Sequence, residues 1–170
     1  MSAAKIAHDN EVEVVLDAGH VRPKIDELLA LSSWIIVPVS FVRDYFENLD
    51  LFVAARELLA KGDADTIKGV IITNGAGGCV AIKKDGEAQW HPSYPVKAVD
   101  TTGAGDIFHA GFIHGLLREW DLESCVRWAA ASAALSITAL GSRGNLPAKE
   151  DVVNLLRENG AVGDIKELDA

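Results

Sequence analysis

The chain has 170 residues, 49% of them hydrophobic and 24% charged, the balance of a globular protein long enough to bury a core. Its 16 Lys and Arg against 25 Asp and Glu give a net charge of −9, which excludes a general nucleic-acid binder with a cationic surface but leaves room for a local anion site. Two cysteines, Cys79 and Cys125, are too few for a disulfide framework or a four-thiolate zinc site. No apolar run is long enough to span a bilayer and the first residues do not read as a secretory signal, so the expectation is a cytoplasmic protein without membrane or nucleic-acid partners.

Strand and helix signals alternate along the chain, the pattern of an α/β fold with a mostly parallel sheet. Ser2–Asn10 reads as a short helix, Val12–Leu16 as a buried β-branched strand, and Pro23 opens a short helix through Leu29. Trp34–Val37 is the next strand. Phe41–Phe46 and Leu51–Ala60 carry helical spacing, and Lys61-Gly62 ends the second of them. Val70–Thr73 is a strand that opens into Asn74-Gly75-Ala76-Gly77-Gly78, and Cys79–Lys83 with Ala88–His91 forms a hairpin around Asp85-Gly86. Helices follow. Ala104–Glu119 is one, and Asp121 caps another reaching Leu140, with Val126, Ala129, Ala130, Ala133, Ile137 and Leu140 as its buried stripe. Pro147 precedes a last helix containing Val152, Val153, Leu155 and Leu156, and the tail from Gly160 is polar. There is no internal repeat, low-complexity tract or linker, so the whole chain, 1–170, reads as a single domain.

The segment that carries chemistry is Val99-Asp100-Thr101-Thr102-Gly103-Ala104-Gly105-Asp106-Ile107-Phe108. Small residues run directly into a helix, so backbone can approach a ligand closely and the unpaired N–H groups of the first helical turn face an anion with the positive end of the dipole. Asp106 at the same helix start is a carboxylate able to take a proton from an attacking hydroxyl. A glycine-rich turn with a capping Asp explains these residues equally well. The loop is neither a Walker A motif nor a Rossmann fingerprint. His109 and His114 lie five residues apart and share no face well, so they and the other histidines read as structural. Trp34, Trp90, Trp120 and Trp128 read as packing residues.

Asp-Thr-x-Gly-Ala-Gly-Asp followed by an apolar helix resembles the C-terminal signature of the ribokinase-like (PfkB) carbohydrate kinases. The resemblance implies a ribokinase-like doubly wound, mostly parallel sheet flanked by helices, and an ATP-dependent transfer of a γ-phosphoryl group to a hydroxyl of a sugar or sugar-like molecule. It implies Asp106 as general base and Gly103, Ala104 and Gly105 as the anion hole. It implies Asp100 and Thr102 as holders of a monovalent, potassium-like cation, and Mg2+ at the phosphates. Ile71-Ile72-Thr73-Asn74-Gly75-Ala76-Gly77-Gly78 resembles the family's nucleotide-lining segment, with Thr73, Gly75 and Gly78 against the nucleotide. Thr138–Gly144 resembles the loop bordering the adenine and the cation, with Gly141 in the nucleotide site. A helix C-cap accounts for those last glycines too, and close helix packing accounts for Ala130, Ala131 and Ala134.

Two departures shape the expectation. Where many members of that family carry an Asn-x-x-Glu motif that organises Mg2+, this chain has Trp34-Ile35-Ile36-Val37-Pro38-Val39-Ser40-Phe41, with neither Asn nor a carboxylate; Asp44 is the nearest acid downstream. The resemblance also covers only the C-terminal half of the family's fold. The N-terminal part that supplies the first strands, most sugar contacts and the lid is expected to be missing, which leaves a sheet edge open to self-association. A truncated, non-catalytic nucleotide-binding or interaction module is therefore a rival reading, and an adenosine- or pyridoxal-type kinase of the same superfamily is another.

Overall fold

The computed structural model describes residues 2–47 and 50–161. The tail expected from Gly160 lies outside the described residues from position 162 onward. The chain divides into two compact units, residues 1–91 and 92–170.

The first unit is an α/β layer. Its elements are α1 (Ser2–Asp9), β1 (Val15–Asp17), α2 (Ile25–Ala30), β2 (Trp34–Pro38), α3 (Val39–Phe46), α4 (Leu51–Leu59), β3 (Gly69–Thr73), β4 (Cys79–Lys83) and β5 (Gln89–His91). The sheet runs in the order β1-β2-β3-β4-β5. β1, β2 and β3 are parallel, while β4 is antiparallel to both its neighbours, so four of the five strands point the same way. Pro38 ends β2 and serves as the extended N-cap of α3, which is why the helix starts two residues earlier than Phe41. Asp50 caps α4 by accepting from the amides of Phe52 and Val53 at 2.9 and 3.2 Å. The buried face of α4, Ala54, Ala55 and Leu58, joins Phe41, Val42, Leu29, Ile35, Val37, Val70, Ile72, Val80 and Ile82 in one core. Each such aliphatic side chain taken fully from water contributes about 1.5–3 kcal/mol. The hairpin between β4 and β5 turns at Asp85, in the left-handed region at φ 63°, and Gly86 donates to the Lys83 carbonyl.

One strand expectation needs correcting here. Val12 is 58% exposed, and β1 begins only at Val15. The chain closes the end of α1 first: the Val12 amide donates to the Ala7 carbonyl, and Glu11 takes φ 58°. Pairing starts where Trp34 stands opposite Val15.

The second unit is helical: α5 (Ala104–Leu117), α6 (Leu122–Ser136) and α7 (Lys149–Glu158). Asp121 caps α6 through the Ser124 amide at 2.7 Å. α5 lies very close to α6, because a Cβ on Gly111 would sit 2.9 Å from Ala129 Cα and one on Gly115 would sit 2.7 Å from Cys125 Sγ. The other side of α6, Trp128, Ala131 and Ala134, packs with Val152, Val153, Leu155 and Leu156 of α7 and with Tyr94. α6 is thus buried on two faces, not along the single stripe that periodicity suggested. Ala130 and Ala133 are only half-buried, Leu140 is 79% exposed, and the helix stops at Ser136. Ala131 and Ala134 are accounted for by helix packing.

Candidate active site

The expected site residues fall into two groups, one in each unit. In the first unit, Thr73 is the last residue of β3, half-buried, paired with Pro38 of β2 on one side and Cys79 of β4 on the other. It stands at the C-terminal end of parallel strands, where open α/β sheets place ligands. The turn that follows, Gly75–Gly77, is tight. The Gly77 amide donates to the Asn74 carbonyl at 2.9 Å, the Gly78 amide to Gly75 at 3.0 Å, and the Asn74 amide to Gly78 at 2.8 Å. Gly75 and Gly78 have φ of 52° and 81°, so a side chain at either would be strained. The backbone of Gly78 is spent inside the loop, so this glycine shapes the turn. Trp90, 56% exposed, donates from Nε1 to the Gly77 carbonyl at 2.9 Å and braces the same turn. Reading the tryptophans as packing residues missed this, since a brace from a neighbouring strand leaves no mark in spacing.

In the second unit the geometry is more telling. Gly103 is the N-cap of α5, at φ 81°. The amide of Ala104 turns back to the Thr101 carbonyl at 3.2 Å, and that of Thr102 donates to Asp100 Oδ1 at 2.9 Å. The amides of Gly103, Gly105 and Asp106 make no hydrogen bond among the described residues. The donors open to an anion are therefore those three, and the Ala104 amide serves the loop itself. A Cβ built on Gly105 would meet nothing within 4 Å, so protein packing does not require glycine there. Asp106 is exposed, in the first turn of α5, with its carboxylate beside these donors along the chain.

Asp100 ties the site together. Its Oδ1 accepts from Thr102, and its Oδ2 accepts from the Gly141 amide at 2.9 Å. Hydrogen bonds from the Thr102 amide first, then the Thr102 side chain and the Gly141 amide, hold its carboxyl below the usual range. The amides of Val99 and Asp100 both donate to the Ile137 carbonyl, at 2.7 and 3.2 Å. Gly141, at φ 84°, and Ser142 lie against the anion loop, since a Cβ on Gly103 would come 2.8 Å from Ser142 Cβ. His109 Nδ1 lies 2.7 Å from the Gly105 carbonyl, one turn back on the same helix, which fits a structural role. Asn145 joins the assembly through Leu135 and Thr138 and had no signal in the motif.

Asp100 and Thr102 carry a carboxylate and a hydroxyl, oxygen groups of the kind hard cations take rather than soft transition metals, and both Asp100 oxygens also accept from backbone amides. Among the described residues no three His, Cys, Asp or Glu side chains gather into a metal site. Mg2+ commonly needs no such cage, because it keeps waters and binds through phosphates with one or two carboxylates. Among the described residues no helix is long and apolar enough to cross a membrane.

The family model for pfkB family carbohydrate kinases matches residues 1–149. The ribokinase of Haemophilus influenzae is 33% identical over 158 residues, covering 91% of this chain and 50% of the relative. Among solved structures, the ribokinase of Thermotoga maritima aligns with a TM-score of 0.77 at 28% identity, over 92% of this chain and 52% of that one. Arabidopsis thaliana ribokinase, complexed with ribose and ATP, aligns with a TM-score of 0.77 at 27% identity, over 91% of this chain and 50% of that one. The chain spans about half the length of the curated relatives it matches. Its architecture is the ribokinase-like α/β fold, doubly wound and mostly parallel, covered in part.

Proposed function

Because the chain belongs to the pfkB family of carbohydrate kinases, we propose that it is the C-terminal, nucleotide-binding and catalytic portion of an ATP-dependent phosphotransferase acting on a sugar or sugar-like hydroxyl. The observation that carries this reading is the start of α5, where three unengaged amides, open space at Gly105 and the Asp106 carboxylate occur within one helical turn. An ATP-bound, ribose-bound relative of the same fold supports it.

The residues divide the reaction between them. The amides of Gly103, Gly105 and Asp106, aided by the α5 dipole, hold the negative charge on the transferring phosphoryl group. Asp106 accepts the proton of the acceptor hydroxyl as its oxygen bonds to the γ-phosphorus. The bond from that phosphorus to the bridging oxygen breaks, and ADP leaves. In the first unit the candidate nucleotide contacts are Thr73, at the end of β3, with Gly75 and Gly78 of the turn that follows, and in the second unit the candidate is Gly141. Asp100 and Thr102 would hold a potassium-like ion that steadies the loop. Mg2+ bound together with the nucleotide would supply charge neutralisation there.

A coupled ADP-release assay over a panel of sugars and nucleosides, run beside equilibrium ATP binding, tests the reading. Sugar-stimulated ADP release upholds it, and nucleoside-stimulated release moves the substrate class to an adenosine-type kinase. ATP binding without release under every acceptor would support a non-catalytic nucleotide-binding module. One observation favours that second reading: the stretch from the end of β2, Pro38 to Phe41, offers neither Asn nor a carboxylate.

A further inference from the structure

We propose that Asn145 is a positioning residue for the anion-hole amides, acting through the loop 137–145; the proposal rests on the reading of that site as a phosphate site. The Asn145 side chain donates from Nδ2 to the Leu135 carbonyl at 2.8 Å and to Thr138 Oγ1 at 2.9 Å. Thr138 Oγ1 itself donates to the same Leu135 carbonyl at 2.8 Å. A side-chain amide has two donors fixed in one plane, so a single group clasps both acceptors at the C-terminal end of α6. The loop between is thereby closed at its base.

That loop has little slack. The Gly144 amide donates to the Gly141 carbonyl at 2.8 Å, and a Cβ on Gly144 would fall 2.1 Å from the Leu140 carbonyl oxygen. It meets the anion loop at two places. The Gly141 amide holds Asp100 Oδ2, whose partner oxygen Oδ1 holds the Thr102 amide immediately before Gly103. Ser142 abuts Gly103 itself, the residue whose φ of 81° aims the first turn of α5. A displacement at Asn145 therefore passes through Gly141 and Asp100, and through Ser142, to the three unengaged amides. A helix cap with only local effect would leave those amides where they are.

Two measurements on the full chain separate these roles. Asn145→Ala removes the clasp, and Asn145→Asp keeps the shape but puts an acceptor against the Leu135 carbonyl. Hydrogen–deuterium exchange is expected to rise about tenfold across residues 99–107 as well as 137–147, the size expected for the loss of roughly one hydrogen bond. ATP affinity is expected to fall about tenfold and adenosine affinity by clearly less, because the phosphates meet the displaced amides whereas adenosine meets the displaced loop only around Gly141. Faster exchange confined to 137–147 overturns the proposal, as does an equal loss of ATP and adenosine affinity. Should Asn145→Ala fail to fold, Thr138→Val removes one acceptor and leaves Asn145 in place. A smaller rise at 99–107 is then expected, and none overturns the proposal. If the wild-type chain binds no ATP while exchange at 99–107 still responds to Asn145, the coupling stands and the phosphate-site reading fails.

Discussion

Replacing Gly105 by Ala tests the anion hole by separating folding from binding. Gly105 lies in the first turn of α5, outside the positive-φ glycines, and an added Cβ would touch no atom within 4 Å. The folded state therefore accepts alanine. Ala in place of a helical Gly adds about 0.5–1 kcal/mol. At about 2–4 °C per kcal/mol for a chain of this size, Tm should rise by roughly 1–4 °C. The methyl group nevertheless enters the open space beside three unengaged amides. If it displaces one charge-assisted hydrogen bond to phosphate, the loss is about 1.5–3 kcal/mol, or roughly 10- to 150-fold in ATP affinity. Thermal melts and calorimetric ATP titration measure the two quantities on the same sample. A variant that melts higher and binds ATP as tightly as wild type would refute the anion-hole reasoning. Gly111→Ala is the control with the opposite pattern. Its Cβ would press on the Ala129 backbone at 2.9 Å, so about 1–3 kcal/mol of overpacking should lower Tm without acting on the phosphate site.

Asp121→Ala removes the side-chain acceptor of the Ser124 amide at the start of α6 and should cost about 1 kcal/mol, seen as a Tm lower by roughly 2–4 °C. Asp121→Asn should recover most of it. His114 predicts a pH dependence. It stacks on Trp128 at 5.3 Å and meets Trp120 edge-on at 5.6 Å, and burial first, then the charges of Arg118 and Lys149, lower its pKa below the ordinary 6.5. Its folded pKa lies below its unfolded one, so the unfolded chain takes up the proton first as pH falls. Its stabilising contribution is present above pH 6.5 and is lost progressively below it. Melts between about pH 5 and 8 should show a decline toward acid that His114→Gln flattens, and an unaltered decline would count against the assignment.

Much of this was legible in the sequence where the signal is local. The helix start at Ala104 and the Asp121 cap before α6 follow from small and capping residues placed directly before apolar helical stretches, and the structure shows both. What failed to show was set by partners far along the chain. β1 could not be trimmed to Val15 from its own β-branched run, because Trp34 across the sheet decides where pairing starts. α6 stops short of Leu140 because the Leu135 carbonyl accepts from Thr138 Oγ1 and from Asn145, ten residues downstream. The motif named the anion-hole residues but not which amides are open, since the engagement of Ala104 with Thr101 depends on how the loop turns at Gly103. The roles of Trp90 and Asn145 are invisible for the same reason: each acts by hydrogen bonds to groups it does not neighbour in sequence.

On the proposed reading, Asp106 takes the hydroxyl proton beside the anion-hole amides. Asp106→Asn keeps the shape at the exposed first turn of α5 and removes the base. Steady-state ADP release with a productive acceptor should fall by about 10²- to 10⁴-fold, with Tm and ATP affinity close to wild type. Turnover that persists at the wild-type rate in a folded, ATP-binding Asp106→Asn variant would contradict the account.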